Sequence, residues 1–169
     1  VLTAHELLTE NGEDSMLETE EAVNDQVYIT GLAALNANEI AAAAPLFSRL
    51  KENGAEKAAI YEALYKIEAA DALAPDSELT EEEKTAVMEK AYVNLQDGRK
   101  RFPDDVSILF AEINHFLRIN KLDVLITKLE AALEKEPDNI SLYTTMGNVY
   151  DNLYQREAKA GNEEAATGY

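Results

Sequence analysis

His5 and His115 are the only histidines, and there is no cysteine. Histidine is the side chain whose unperturbed pKa lies nearest neutrality. These two are therefore the first places to look for acid–base work or metal ligation. They stand far apart in the sequence, and each falls in a helical segment, so a structural or surface role is expected for both. Glu81-Glu82-Glu83 could in principle hold a divalent ion. Successive helix positions point about 100° apart, so three carboxylates in a row do not converge on one ion. They read instead as a solvated helix N-terminus, favoured by the helix dipole. No Gly-rich phosphate loop, nucleophile elbow, HExxH or EF-hand loop is present. The many carboxylates form no recognisable acid–base pair. The expectation is a non-enzyme with no catalytic, cofactor-binding or metal-binding residues.

Charge narrows the partners. The net charge is −18, and no Lys or Arg occurs before Arg49. That stretch carries Glu6, Glu10, Glu13, Asp14, Glu18, Glu20, Glu21, Asp25 and Glu39. Such a field repels nucleic-acid phosphates and anionic lipid, so no nucleic acid is expected. The one basic run, Arg99-Lys100-Arg101, sits at a predicted helix C-terminus, where cations favour the dipole and the last carbonyls. No apolar run approaches the ~20 residues of a membrane span, so no integral membrane segment is expected.

The elements follow from punctuation. Only 7 Gly and 4 Pro interrupt an Ala-, Glu- and Leu-rich chain with 46% hydrophobic residues, a helical composition. Thr3-Ala4-His5-Glu6 and Ser15-Met16-Leu17-Glu18 read as capping boxes, the second opening a helix to about Leu35. Asn36-Ala37-Asn38 is a turn. Helices are expected over about 39–53 with a bend at Pro45, then 55–73, 81–101, 105–119, 122–135 and 140–160. Gly54 stops the first of these, and Thr80 caps the third. No segment alternates as a strand does.

Two stretches share one register. Pro103-Asp104-Asp105 and Pro137-Asp138-Asn139 stand 34 residues apart, each closing one amphipathic segment before another starts. A period of that size signals stacked helical hairpins. Within the last full helix, Tyr143-x-x-Met146-Gly147-x-x-Tyr150 follows the pattern aromatic-x-x-Leu-Gly-x-x-Tyr. It resembles helix A of the tetratricopeptide repeat (TPR) family. Leu125, Leu129 and Ala132 fall where that family packs helix B, and Asn120 takes the turn place that is usually Gly. Extending the frame gives a helical extension over 1–23 and an array over 24–169. Its repeats are about 24–57, 58–105 with an insertion of 14, 106–139 and 140–169, the last incomplete. Gly31, Ala34, Asn38, Ala43, Phe47 and Leu50 carry the first; Tyr61, Leu64, Ala91, Leu95, Gly98 and Pro103 carry the second. Glu112 departs from the pattern at an apolar place, Tyr65 at a small one, and Ala55 where Pro is usual. Shifting the third repeat by one residue would use Phe110, Ile113 and Leu117 instead.

The resemblance implies an all-α fold, an α-α superhelix or right-handed solenoid of hairpins. It also implies a protein-interaction scaffold that binds a peptide or protein segment in a concave groove. The groove places fall on Phe110 and Asn114, with Ser107 and Leu117, and on Ser141, Thr144, Asn148, Asp151 and Asn152. Ala59, Glu62 and Lys66 hold them in the second repeat. One subclass grips chaperone C-termini with a Lys, Arg and Asn clamp. The matching places here hold Tyr28, Leu32, Ala63, Ser107 and Ala111, so that partner is not expected. The alternatives are a helical carrier of a small apolar ligand, its pocket lined by Tyr61, Tyr65 and Tyr92, and, third, a hydrolase without a motif. Gly147 is expected to be a packing residue covered by helix B of the fourth repeat, restarting at Gly161-Asn162. That incomplete repeat is expected to permit self-association. The chain opens at Val1 without Met, which reads as a trimmed product. The acidic, Cys-free repeats resemble bacterial ones, with an exported or periplasmic setting favoured and the cytoplasm as the alternative.

Overall fold

A computed structural model describes residues 12–159 and 161, and side chains from residue 20 onward. Among the described residues every regular element is an α-helix. In chain order they are α1 (Gly12–Asn36), α2 (Ile40–Glu52), α3 (Ala59–Glu68), α4 (Ala70–Leu73), α5 (Glu81–Arg101), α6 (Val106–Arg118), α7 (Leu122–Lys135) and α8 (Ile140–Lys159). None of them is long and apolar enough to cross a membrane. The chain divides into two compact units, Val1–Ala111 and Glu112–Tyr169, and the division falls within α6.

Three helices end in the same way. Asn38, Gly54 and Asn120 adopt φ values of 60°, 71° and 56°. At each, the N–H of the following residue reaches back to a carbonyl five residues earlier: Glu39 to Ala34 at 2.8 Å, Ala55 to Leu50 at 3.0 Å and Lys121 to Phe116 at 2.9 Å. The left-handed residue's own N–H bonds the carbonyl three residues before it, in each case completing a Schellman motif. Asn tolerates this backbone and Gly adopts it freely, which is why these residues stand at the turns.

Three helix starts are capped by side chains. Thr80 Oγ1 accepts from Glu83 N at 3.2 Å while Glu83 Oε2 accepts from Thr80 N at 2.8 Å, closing the expected capping box. Asp105 Oδ1 accepts from Ser107 N and Ile108 N at 2.9 and 3.1 Å. Asn139 Oδ1 accepts from Ser141 N and Leu142 N at 3.1 and 3.3 Å. The last residue of each Pro-Asp-Asp/Asn motif is therefore the N-cap of the helix that follows.

Three expectations need correction. Helix α1 begins at Gly12, so Ser15 lies inside it rather than capping it. The helix expected over 55–73 starts only at Ala59, because the Ala55 N–H is spent terminating α2. It also breaks at buried Ala69, whose φ and ψ are −90° and 3°, before the short α4. Helix α2 runs on through Pro45, as expected of a proline placed inside it. The Thr3 capping box and His5 lie outside the described residues.

In the first unit α1 packs on α2, α2 on α3, and α3 on α5, with α4 also against α5. Ala43, Phe47, Leu50 and Ile60 are fully buried, with Tyr28 edge-on to Phe47 at 6.1 Å. Gly31 lets Phe47 in: a Cβ built there would stand 3.0 Å from Phe47 Cε2. Gly98 on α5 does the same for Tyr61 of α3, at 2.7 Å from its Cβ. In the second unit α7 packs on α8, burying Leu122, Leu125, Leu129, Leu142, Val149 and Leu153.

Candidate functional site

The polar candidates of the last helix do form one surface. Ser141, Thr144, Asn148, Asp151 and Asn152 recur at three- and four-residue spacing, share one side of α8, and are all exposed. Their hydrogen bonds are partly internal to the helix. Thr144 Oγ1 donates to Ile140 O at 2.9 Å, and Asn152 Nδ2 donates to Asn148 O at 2.8 Å. The side chains of Asn148 and Asp151 make no hydrogen bond to another described residue, so an amide and a carboxylate face outward. The stripe can offer donors and acceptors to an extended backbone, with one negative charge beside them.

Asn114 is exposed on α6 in the same unit. Phe110 is half-buried on the part of α6 that belongs to the first unit. Of the second-repeat candidates, Ala59 and Glu62 are half-buried and Lys66 is exposed. At the clamp places Ala63 is buried, Tyr28, Leu32 and Ala111 are half-buried, and Ser107 is exposed.

Buried chemistry lies just inside α6. Glu112 is only 3% exposed and His115 1%. A buried carboxylate is costly unless compensated, and Lys128 of α7 supplies the opposite charge at 3.3 Å, its ammonium also lying 5.4 Å from the Phe116 ring centroid. Glu112 is thus buried beside its partner, at the place where the sequence departs from the repeat pattern. The frame did not reveal its partner, because a pairing across two helices leaves no local spacing to read.

The first unit is cross-tied by charges. Lys51 of α2 bonds Asp97 of α5 at 2.9 Å and lies over Tyr61, 5.4 Å from the ring centroid. That bond holds the Asp97 carboxyl below the usual carboxylate range, against the opposing effect of partial burial. Arg101 donates to Gly54 O at 2.5 Å and pairs with Glu56. Arg99 donates to Pro103 O at 2.7 Å and Asp105 O at 3.2 Å. Arg99 and Arg101 thus bind carbonyls beyond their own helix rather than its last ones, and Lys100 pairs with Asp97 at 3.4 Å. The Thr80 backbone and hydroxyl likewise hold Glu83 below its ordinary range.

Two open depressions were not visible in the sequence. One of about 570 Å³ lies among α2, α3 and α5, floored by Ala44, Leu64 and Ile67 and rimmed by Glu52, Glu68 and the paired Lys51. The other, about 420 Å³, is rimmed by Glu20, Glu21, Asp25 and Glu56. Neither is lined by Tyr61, Tyr65 or Tyr92. Tyr61 and Tyr65 are buried, and Tyr61 packs edge-on to Phe102 at 6.0 Å. Among the described residues no group of three or more His, Asp or Glu side chains could hold a metal ion.

No family model, curated protein or solved structure matches this chain.

Proposed function

We propose that this protein is a non-enzymatic protein-interaction scaffold whose hairpins build an α-α superhelix of tetratricopeptide type. The observation that carries the reading is the outward-facing polar stripe of α8, an array of hydroxyls, amides and a carboxylate on one rigid helix face. Residues on a rigid element hold their geometry, which lowers the entropy lost on binding. Such a stripe suits an extended peptide, read through its backbone N–H and C=O groups. Two packing contacts support the repeat frame: Phe47 over Gly31 and Tyr61 over Gly98, each at places the frame reserves for a small residue and its cover. Asp151 and the overall charge favour a neutral or basic peptide over an acidic one.

Selection from a random peptide library, followed by titration of the winners, tests this. Wild-type protein should enrich a common motif, and Asn148→Ala/Asp151→Ala should lose affinity for the same peptides while keeping its helical circular dichroism. Equal binding by the double variant would remove the stripe from the account.

A further inference from the structure

The larger depression of the first unit has two distinct ends. Lys51 of α2 bonds Asp97 of α5 and lies over Tyr61 of α3, which packs on Gly98 of α5. Lys90 of α5 pairs with Glu68 of α3. These contacts run α3 antiparallel to α5 and set Glu52, next to Lys51, at the Tyr61 end. Tyr61 and Glu68 are seven residues apart on α3, so the two ends lie about 10 Å from each other along the helix. Between them the floor is Ala44, Leu64 and Ile67, and the Ser48 hydroxyl and Asn94 amide also line the space. The result is an open trough of about 570 Å³ with a carboxylate at each end and an apolar middle.

We propose that this trough binds a free linear aliphatic polyamine, a chain of methylenes carrying ammonium groups at its ends and between them. Charge selects it. Residues 1–111 carry 23 acidic side chains against 9 basic ones, so −14 of the chain's −18 belongs to the unit that holds the trough. The neighbouring cations are already engaged, Lys51 by Asp97 and Lys90 by Glu68. Glu52 makes no hydrogen bond or ion pair to another described residue, so one terminal ammonium meets an uncommitted carboxylate. Glu68 gives Lys90 its Oε1 and keeps Oε2 for the other terminus. The Lys90 side chain is 77% exposed, so water weakens its repulsion of that terminus. The methylenes cover the apolar floor, as the stems of long cationic side chains cover apolar surface. Ser48 Oγ and Asn94 Oδ1, which Lys51 reaches only at 3.5 Å, accept from an inner ammonium. A single divalent ion does not fit this arrangement, because its oxygen ligands must all lie within about 2.6 Å of it. The trough belongs to the first unit and the α8 stripe to the second, so neither reading depends on the other.

Isothermal titration of the full chain with spermidine tests the proposal, at roughly 0.15 M salt, where exposed charges more than about 8 Å apart are largely screened. Wild type should take up one equivalent. The four-carbon diamine putrescine is too short to reach both ends. It should bind about tenfold more weakly, since it forgoes one charged hydrogen bond. Ser48→Phe fills the trough from an exposed helix position without changing the charge. It should abolish binding at an unchanged melting temperature. Glu52→Gln should weaken binding severalfold, whereas Asp76→Asn, an equal loss of charge at an exposed linker residue, should not. A wild type without saturable binding overturns the proposal, as does full binding by Ser48→Phe. Equal weakening by Glu52→Gln and Asp76→Asn also overturns it, because spermidine would then be a diffuse counterion. Putrescine binding as tightly as spermidine overturns the two-ended geometry.

Discussion

Gly98 and Gly147 sit on helices of nearly equal length, 21 and 20 residues, and each lies among apolar neighbours at helical spacing. Their surroundings are opposite. Gly98 is buried, with Tyr61 and Ile108 so close that even a methyl group would fall 2.7 and 2.9 Å from them. Gly147 is exposed, with nothing described within 4 Å. The residue type alone does not say whether a helical glycine is a contact or a gap. What decides it is whether the neighbouring helix brings a large side chain to that level. In the first unit α3 brings Tyr61 to Gly98; in the second, α7 packs on α8, where Leu142, Val149 and Leu153 are buried and Tyr143 and Tyr154 are 53% and 45% exposed.

The largest expected effect breaks the closed side of that comparison. Gly98→Ala places a Cβ against the Cβ of Tyr61, which cannot swing away as a side-chain tip could. Overpacking of this kind typically costs ~1–3 kcal/mol. The better helix propensity of Ala returns at most ~1 kcal/mol, so the net effect is destabilising. Urea denaturation should show a lower midpoint. A variant as stable as wild type would mean that α3 and α5 can separate without cost.

Much of this architecture is legible in the sequence, and the exceptions have a common cause. The α7 bounds, the Thr80 box and the turn at Asn120 were readable because caps and left-handed turn residues act over four or five neighbours. In the first two hairpins the close fits of Phe47 on Gly31 and of Tyr61 on Gly98 fall on residues that the sequence singles out. The break at Ala69 was not readable, since an alanine-rich run has no stop signal and tertiary packing sets the bend. Lys51 to Asp97, 46 residues apart, and Lys128 to Glu112 were not, because no local pattern links two helices. For the candidate site, the five polar residues of α8 share one exposed side of the helix, as their spacing implies. The openness of Gly147 was not readable, because the frame presumes a covering helix, and the one it assigns, from Asn162 onward, lies outside the described residues.

A smaller effect tests whether α5 is fixed from its start as well as at Gly98. Thr80→Ala removes the hydroxyl that accepts from Glu83 N, a loss that typically costs ~0.5–2 kcal/mol. The same region carries an acid dependence. Glu83 and Asp97 both titrate below their ordinary values in the folded chain. A carboxylate with a depressed folded pKa contributes stability above its unfolded pKa and loses it as pH falls through the folded one. Thermal stability should therefore fall as pH drops from about 5 through the carboxylate range. Asp97→Asn should flatten part of that fall by removing one titrating group. An unchanged acid slope in this variant would show that the Lys51 bond does not couple protonation to folding.

The smallest expected effect sharpens the open side of the comparison. Gly147→Ala adds a methyl group into unfilled space on an exposed helix position, so the packing term that dominates at Gly98 is absent. What remains is backbone entropy, and Gly in a helix interior is roughly 0.5–1 kcal/mol worse than Ala. The variant should be slightly more stable than wild type in urea denaturation at low protein concentration. The sign is the measurement that matters, because the same substitution at Gly98 should move the midpoint the other way. If Gly147→Ala lowers the midpoint too, a close neighbour covers Gly147 in solution, and the contrast between the two glycines is one of partner identity rather than of occupancy.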